Sequence, residues 1–301
     1  MPSSRRNSII RLLSACIFFP VALAALAQDE AAPRVVVPPA GYTSHLDVTY
    51  VKVGDWEGKM DLFLPPKQNG PSPAIIKIHG GGWNHGTRVS PGGAYFHLGF
   101  ALINVEYRFV QAAPAPAAIQ DTRCALKYVI SHAKELNIDP SRIVLQGGSA
   151  GGHLVLMTGL LGNDRRFDVN CPGNTDMKVA AIVDDFGPTD FTAQSWPLIG
   201  RNKSVVNWLG SNAANEAFKA SVSPLSYVTR QSPPVIIFHG DQDHTVPFEQ
   251  SAVLEEKLKA AGVKTELVPV PGAGHGKFTH EQNAMEESKI QDFLRSAGVL
   301  K

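Results

Sequence analysis

The chain has 301 residues, 44% of them hydrophobic and 18% charged, a balance that excludes an intrinsically disordered protein. Its 28 Lys and Arg against 27 Asp and Glu leave a formal net charge of +1, so no nucleic-acid partner bound by phosphate neutralisation is expected. The 27 Gly lack a period of three and the 3 Cys are too few for a disulfide scaffold, which removes those two classes as well.

The N-terminus reads as an export signal. Arg5, Arg6 and Arg11 form a positive segment, residues 12–26 are almost wholly apolar, and Ala25-Leu26-Ala27 offers a small-x-small cleavage site before Gln28-Asp29-Glu30. The apolar run is short for a membrane span. Cleavage after Ala27 and a secreted or periplasmic location are therefore expected, with no stable membrane insertion afterwards. Leu13-Ser14-Ala15-Cys16 resembles a lipobox, although most of the apolar stretch follows Cys16 instead of preceding it. Ser4-Arg5-Arg6 resembles a twin-arginine signal, but Asn7-Ser8 stand where apolar residues belong. Removing residues 1–27 leaves Cys124 and Cys171, which an oxidising compartment allows to pair. Their positions leave that pairing open, and neither has a zinc-ligand spacing.

A Pro- and Ala-rich leader over 28–41 precedes one domain over 42–301. His45–Val53 alternates apolar and polar residues, and with Met60–Leu64 it predicts an antiparallel hairpin. Pro73–Ile78 and Ala101–Tyr107 are buried-strand runs. Strand and helix then alternate: a helix over Pro116–Ala133, a strand at Arg142–Gln146, a helix over Ala150–Leu161 and a strand at Val179–Phe186. A strand at Val235–His239, a helix over Pro247–Ala261, a strand at Lys264–Val270 and a helix over Glu281–Ala297 complete the chain. This alternation predicts a mostly parallel sheet with helices on both faces, in the α/β class. Residues 187–232 interrupt the rhythm and read as a small insertion over the active-site edge.

Three motifs fall at predicted strand ends. Gly147-Gly148-Ser149-Ala150-Gly151 follows one strand and opens the next helix, the setting in which a serine is projected as a nucleophile. His79-Gly80-Gly81-Gly82-Trp83 follows another strand. Its glycines allow a close approach of backbone N–H groups, so Gly81, Gly82 and Ala150 are candidate oxyanion donors. His79 reads as a brace for that loop. A serine nucleophile needs a base, and the base needs an orienting carboxylate. His275, in the loop Gly272-Ala273-Gly274-His275-Gly276, is the candidate base, and Asp243 the candidate acid. Asp241 is the rival acid but reads as a turn brace. His239 and His244 read as turn residues, and His153 as packing under the site. Trp83, with Trp196 and Trp208 from the insertion, offers an aromatic wall for a sugar or phenolic group, with ordinary packing as the competing reading.

Together these residues resemble an α/β-hydrolase, within the secreted bacterial carboxylesterases that include acetylxylan and feruloyl esterases. Asp61–Pro65, His79–Trp83, Glu106-Tyr107-Arg108, Asp121, Gly147–His153, Phe186–Asp190, Asp243 with Val246-Pro247, and His275-Gly276 carry the resemblance. It implies Ser149, Asp243 and His275 as catalytic residues, no metal or organic cofactor, and a small-molecule or polysaccharide ester as substrate. Gly148 stands where hormone-sensitive-lipase-like relatives usually have an acidic residue, which points away from that branch. Lipase or peptidase action on the same fold, and a non-catalytic carbohydrate-binding relative, are the alternatives.

Overall fold

A computed structural model describes residues 36–67, 70–88 and 92–301, apart from the side chain of Trp196. The expected export signal lies outside the described residues.

The hairpin forms between β1 (Thr43–Val53) and β2 (Trp56–Leu64), joined by a turn at Gly54-Asp55. Next come β3 (Ser72–Ile78), the short helix α1 (Ala94–His97), β4 (Ala101–Val105) and α2 (Ala117–Ser131). They are followed by β5 (Ile138–Gly148), α3 (Ala150–Leu160) and β6 (Ala181–Asp185). After the insertion come β7 (Val235–Gly240), α7 (Glu249–Ala260), β8 (Thr265–Val270) and α8 (His280–Ser296). The eight strands lie in the order β1-β2-β4-β3-β5-β6-β7-β8. Pairings from β4 to β8 are parallel, whereas β1 with β2 and β2 with β4 are antiparallel.

The central strands β3, β4 and β7 are buried on both faces, so they read as continuous apolar runs and not as alternating ones. Ile76 and Ile78 of β3 point into one core with Leu126 of α2, Leu154 of α3 and Leu254 of α7. Ile75 points into the other, with Tyr95 and Phe96 of α1 and Ile290, Phe293 and Leu294 of α8. Every residue of α3 is buried, which explains why that helix is apolar on all sides. α8 begins at His280 because Thr279 and Gln282 form a reciprocal capping box.

Two parts differ from the sequence reading. α1 has four residues and no periodicity to read. Residues 187–232, which carry no strand–helix rhythm, fold into α4 (Trp196–Ile199), α5 (Lys203–Leu209), α6 (Glu216–Ser221) and two 3-10 turns. Asn202 and Asn215 accept N–H groups at the starts of α5 and α6, supplying caps that helices this short need. The Cys124 and Cys171 thiols are joined as a disulfide, tying α2 to the loop after α3.

Candidate active site

Ser149 sits between β5 and α3 with φ 56° and ψ −122°, a conformation costing an L-residue about 1–3 kcal/mol. The surroundings hold it there. Its N–H donates to the Asp185 carbonyl at 2.8 Å. A Cβ on Gly151 would lie 2.1 Å from the Ile78 carbonyl oxygen, so only glycine lets the first turn of α3 lie against the end of β3.

Parallel strands deliver their following loops to one end of the sheet, and two of them bring side chains to Ser149. His275 comes from the loop after β8 and Asp243 from the loop after β7. The His275 Nδ1–H donates to Asp243 Oδ2 at 2.6 Å, and Nε2 accepts the Ser149 hydroxyl at 2.8 Å. The direction follows from the carboxylate, which can only accept, so the proton of a neutral ring sits on Nδ1. The side chain of Asp243 is fully buried. Burial opposes its ionisation, but hydrogen bonds from His239, His275 and the Val246 amide outweigh that and hold its pKa well below the usual carboxylate range.

His239 is a correction to the sequence reading. It lies within β7, completely buried, and is not a turn residue. Its Nε2 is 2.9 Å from the Val246 carbonyl and 3.3 Å from Asp243 Oδ2, and its Nδ1 is 2.6 Å from the Ser251 hydroxyl. The carbonyl can only accept, so Nε2 carries the proton and faces the acid. A lone polar residue ending the run Val235-Ile236-Ile237-Phe238 was the available signal. Asp241 does brace the turn, accepting the Gly272 N–H at 2.8 Å, and His244 is exposed.

Gly81 and Gly82, with φ 111° and 58°, line the same pocket as Ser149. Their amides meet no acceptor among the described residues. Ala150 opens α3, where an amide has no intrahelical acceptor and the helix dipole favours negative charge. His79 braces the loop as expected: its Nδ1 lies 2.7 Å from the Gly80 carbonyl and its ring stacks on Tyr107 at 4.5 Å. The Tyr107 hydroxyl donates to the His79 carbonyl at 3.0 Å, a contact that no residue pattern announces. Below it, Arg108 and Asp121 form a buried ion pair at 2.7 Å.

The pocket above Ser149 has a volume of about 480 Å³. Phe186, Pro188, Val205 and Val246 give it apolar lining, while Asn202, Ser204 and Thr245 add polar groups. The expected aromatic wall is not exposed to it. Trp83 reaches the pocket lining but is buried, stacked on the equally buried Trp208 at 4.5 Å and edge-on to His153. Large apolar rings gain most by packing together out of water, so the packing reading holds for this pair. The Trp196 side chain lies outside the described residues. His153 packs under the site, its Nε2 2.9 Å from the Val222 carbonyl of the insertion. Among the described residues no three His, Cys, Asp or Glu side chains converge to hold a metal ion.

The eight-stranded sheet, its antiparallel first hairpin and the strand-end placement of Ser149, Asp243 and His275 define an α/β-hydrolase fold. The BD-FAE family model matches residues 60–258, and the chain belongs to that family. Esterase LipC of Mycobacterium tuberculosis is 31% identical over 268 residues, covering 83% of this chain and 66% of that protein. The probable carboxylic ester hydrolase LipM of the same organism is 30% identical, covering 72% of this chain and 52% of that one. The chain thus spans between half and two thirds of the length of these curated relatives. Among solved structures, a truncated carbohydrate esterase from gut microbiota superposes with a TM-score of 0.72 at 29% identity, covering 87% of this chain and 99% of that one. The propionate-bound esterase Est2 of Thermogutta terrifontis gives a TM-score of 0.69 at 27% identity, covering 87% of this chain and 96% of that one.

Proposed function

We propose that the protein is a serine carboxylic-ester hydrolase working through an acyl-enzyme. The carrying observation is the continuous hydrogen-bonded series from Asp243 through His275 to Ser149, opening into a pocket beside two loop amides that meet no acceptor among the described residues. His275 Nε2 takes the Ser149 proton as Oγ attacks the ester carbonyl, and Asp243 stabilises the imidazolium that forms. The amides of Gly81, Gly82 and Ala150 receive the tetrahedral oxyanion. His275 then protonates the leaving alcohol, and water, activated by the same base, releases the acid. The named relatives and neighbours include esterases and a carbohydrate esterase, which supports ester hydrolysis as the reaction.

The substrates we infer are short acyl or phenolic esters of plant polysaccharide. The pocket supports this by pairing apolar residues with the polar groups of Asn202, Ser204 and Thr245. Export, argued from residues 1–27 and compatible with the Cys124–Cys171 disulfide, would bring the enzyme to such material. Replacing Ser149 by Ala tests the mechanism: hydrolysis of p-nitrophenyl acetate should fall by at least about a thousandfold. Activity within about tenfold of wild type would remove Ser149 as the nucleophile. A series of p-nitrophenyl esters of rising chain length, run beside acetylated xylan and methyl ferulate, tests the substrate class. A preference for long chains would favour a lipase instead.

A further inference from the structure

We propose that Phe186 is a positioning residue for His275, holding the imidazole in line with Ser149 during proton transfer; this rests on the serine-hydrolase reading above. Phe186 follows β6 with φ 49°, in the left-handed region that a phenylalanine rarely occupies. Its N–H donates to the Phe238 carbonyl at 2.8 Å, and the preceding carbonyl, that of Asp185, accepts the Ser149 N–H at 2.8 Å. The dipeptide Asp185-Phe186 therefore touches both partners of the transfer: the backbone of the nucleophile and the ring of the base.

The strained backbone delivers the phenyl ring to one place. Its centroid lies 4.8 Å from that of His275 at an interplanar angle of 66°. Phe278 packs edge-on from another direction at 5.7 Å. Two glycines leave the room it occupies. A Cβ on Gly148 would lie 3.3 Å from the phenyl ring, and one on Gly276 3.2 Å from it, both tighter than ordinary contact.

His275 needs such a wall. Its loop contains Gly272, Gly274 and Gly276; Asp241, Gln242 and Gln282 hold residues 271–273, and a bridge between Gly274 and Lys277 closes the turn that carries His275. The bond to Asp243 fixes Nδ1 at 2.6 Å but leaves the imidazole free to pivot about that contact, carrying Nε2 away from Ser149. A rigid ring against its flank limits the pivot. A phenyl group offers neither donor nor acceptor, so it does not compete with Ser149 for Nε2.

The test is a set of variants at Phe186 read by kcat, KM and the rate of Ser149 labelling by a fluorophosphonate, which needs no bound ester. Phe186→Ala is expected to lower kcat on p-nitrophenyl acetate by about 10- to 100-fold, over and above any change in KM from its place in the pocket lining, and to slow labelling by a similar factor. Phe186→Tyr, which restores the ring, is expected to recover both to within about fivefold of wild type. If Phe186→Ala does not fold, Phe186→Leu reads the same effect, since it fills space without a planar wall. Its kcat should still fall by at least about fivefold. Rates near wild type in the folded Ala or Leu variant, or an effect confined to KM, would overturn the positioning role. Wild-type protein that takes no label at Ser149 would instead overturn the serine-hydrolase reading.

Discussion

His239 and His275 approach the same carboxylate oxygen, Asp243 Oδ2, at 3.3 Å and 2.6 Å. The acid is thus held by a buried strand residue, His239, and by the loop residue His275. A carboxylate fixed from two directions keeps its orientation when His275 gains a proton, because it need not reorganise to meet the new charge.

Replacing His239 by Phe keeps a ring of similar shape and removes the donor. The Val246 carbonyl and Ser251 hydroxyl lose their partner too, and each buried group left unpaired costs about 1–3 kcal/mol. Asp243 is a depressed carboxylate, so its contribution to stability is present above its unfolded pKa and fades as pH falls through the folded value. We expect a lower Tm, with the gap to wild type widest above about pH 5 and narrower in acid, and kcat reduced roughly tenfold. Calorimetry across pH checks this, and a gap that grows in acid would contradict it.

Asp243→Asn should leave the backbone intact and lower kcat by about ten-thousandfold, since an amide allows the wrong imidazole tautomer. Asp241→Asn, which touches only the Gly272 turn, should retain kcat within about threefold. Steady-state rates for the two variants decide which aspartate orients the base.

Asp184, fully buried beside Gly152 and Gly187, gives a stability prediction of opposite sign. Burial raises its pKa to about 8, against a smaller opposing effect of the Gly187 amide. The folded state therefore keeps a proton that the unfolded chain releases near pH 4, and stability falls as pH rises towards 8. The slope from this one group is at most about 1.4 kcal/mol per pH unit. Asp184→Asn mimics the neutral acid, so its Tm should gain on wild type from pH 5 to pH 8. Comparing the two proteins cancels Glu286, whose pKa burial raises to about 7. Parallel Tm curves would refute the assignment.

Opening the disulfide by Cys124→Ala with Cys171→Ala releases a closure spanning 47 residues and should cost about 4 kcal/mol. It links α2 to the loop after α3, away from the residues lining the pocket, so kcat at 25 °C should change less than about twofold. Thermal melts with and without reductant, set beside the variant, measure the effect.

Ser149, Asp243 and His275 were legible because each lies in a short glycine-containing or acidic loop directly after a strand run, in an order that parallel topology turns into proximity. His239, Tyr107 and Phe186 were not. His239 acts through contacts with the loop after β7 and with α7, Tyr107 through a contact with the loop after β3, and Phe186 depends on a positive φ that no residue pattern announces. The disulfide belongs with them, since pairing depends on where α2 and the loop after α3 meet.

The sequence by itself determined the order of the strands and of the longer helices, and with it an α/β sheet whose loops return to one end. Hydrophobic runs and turn residues are local signals, and strand–helix alternation permits few topologies. Only the tertiary structure decided which histidines face Asp243, that Trp83 and Trp208 stack on each other out of the solvent, and that Asn202 and Ser204 reach the pocket. Those outcomes are set by close packing between segments far apart in the chain, where a few tenths of an ångström choose the neighbour.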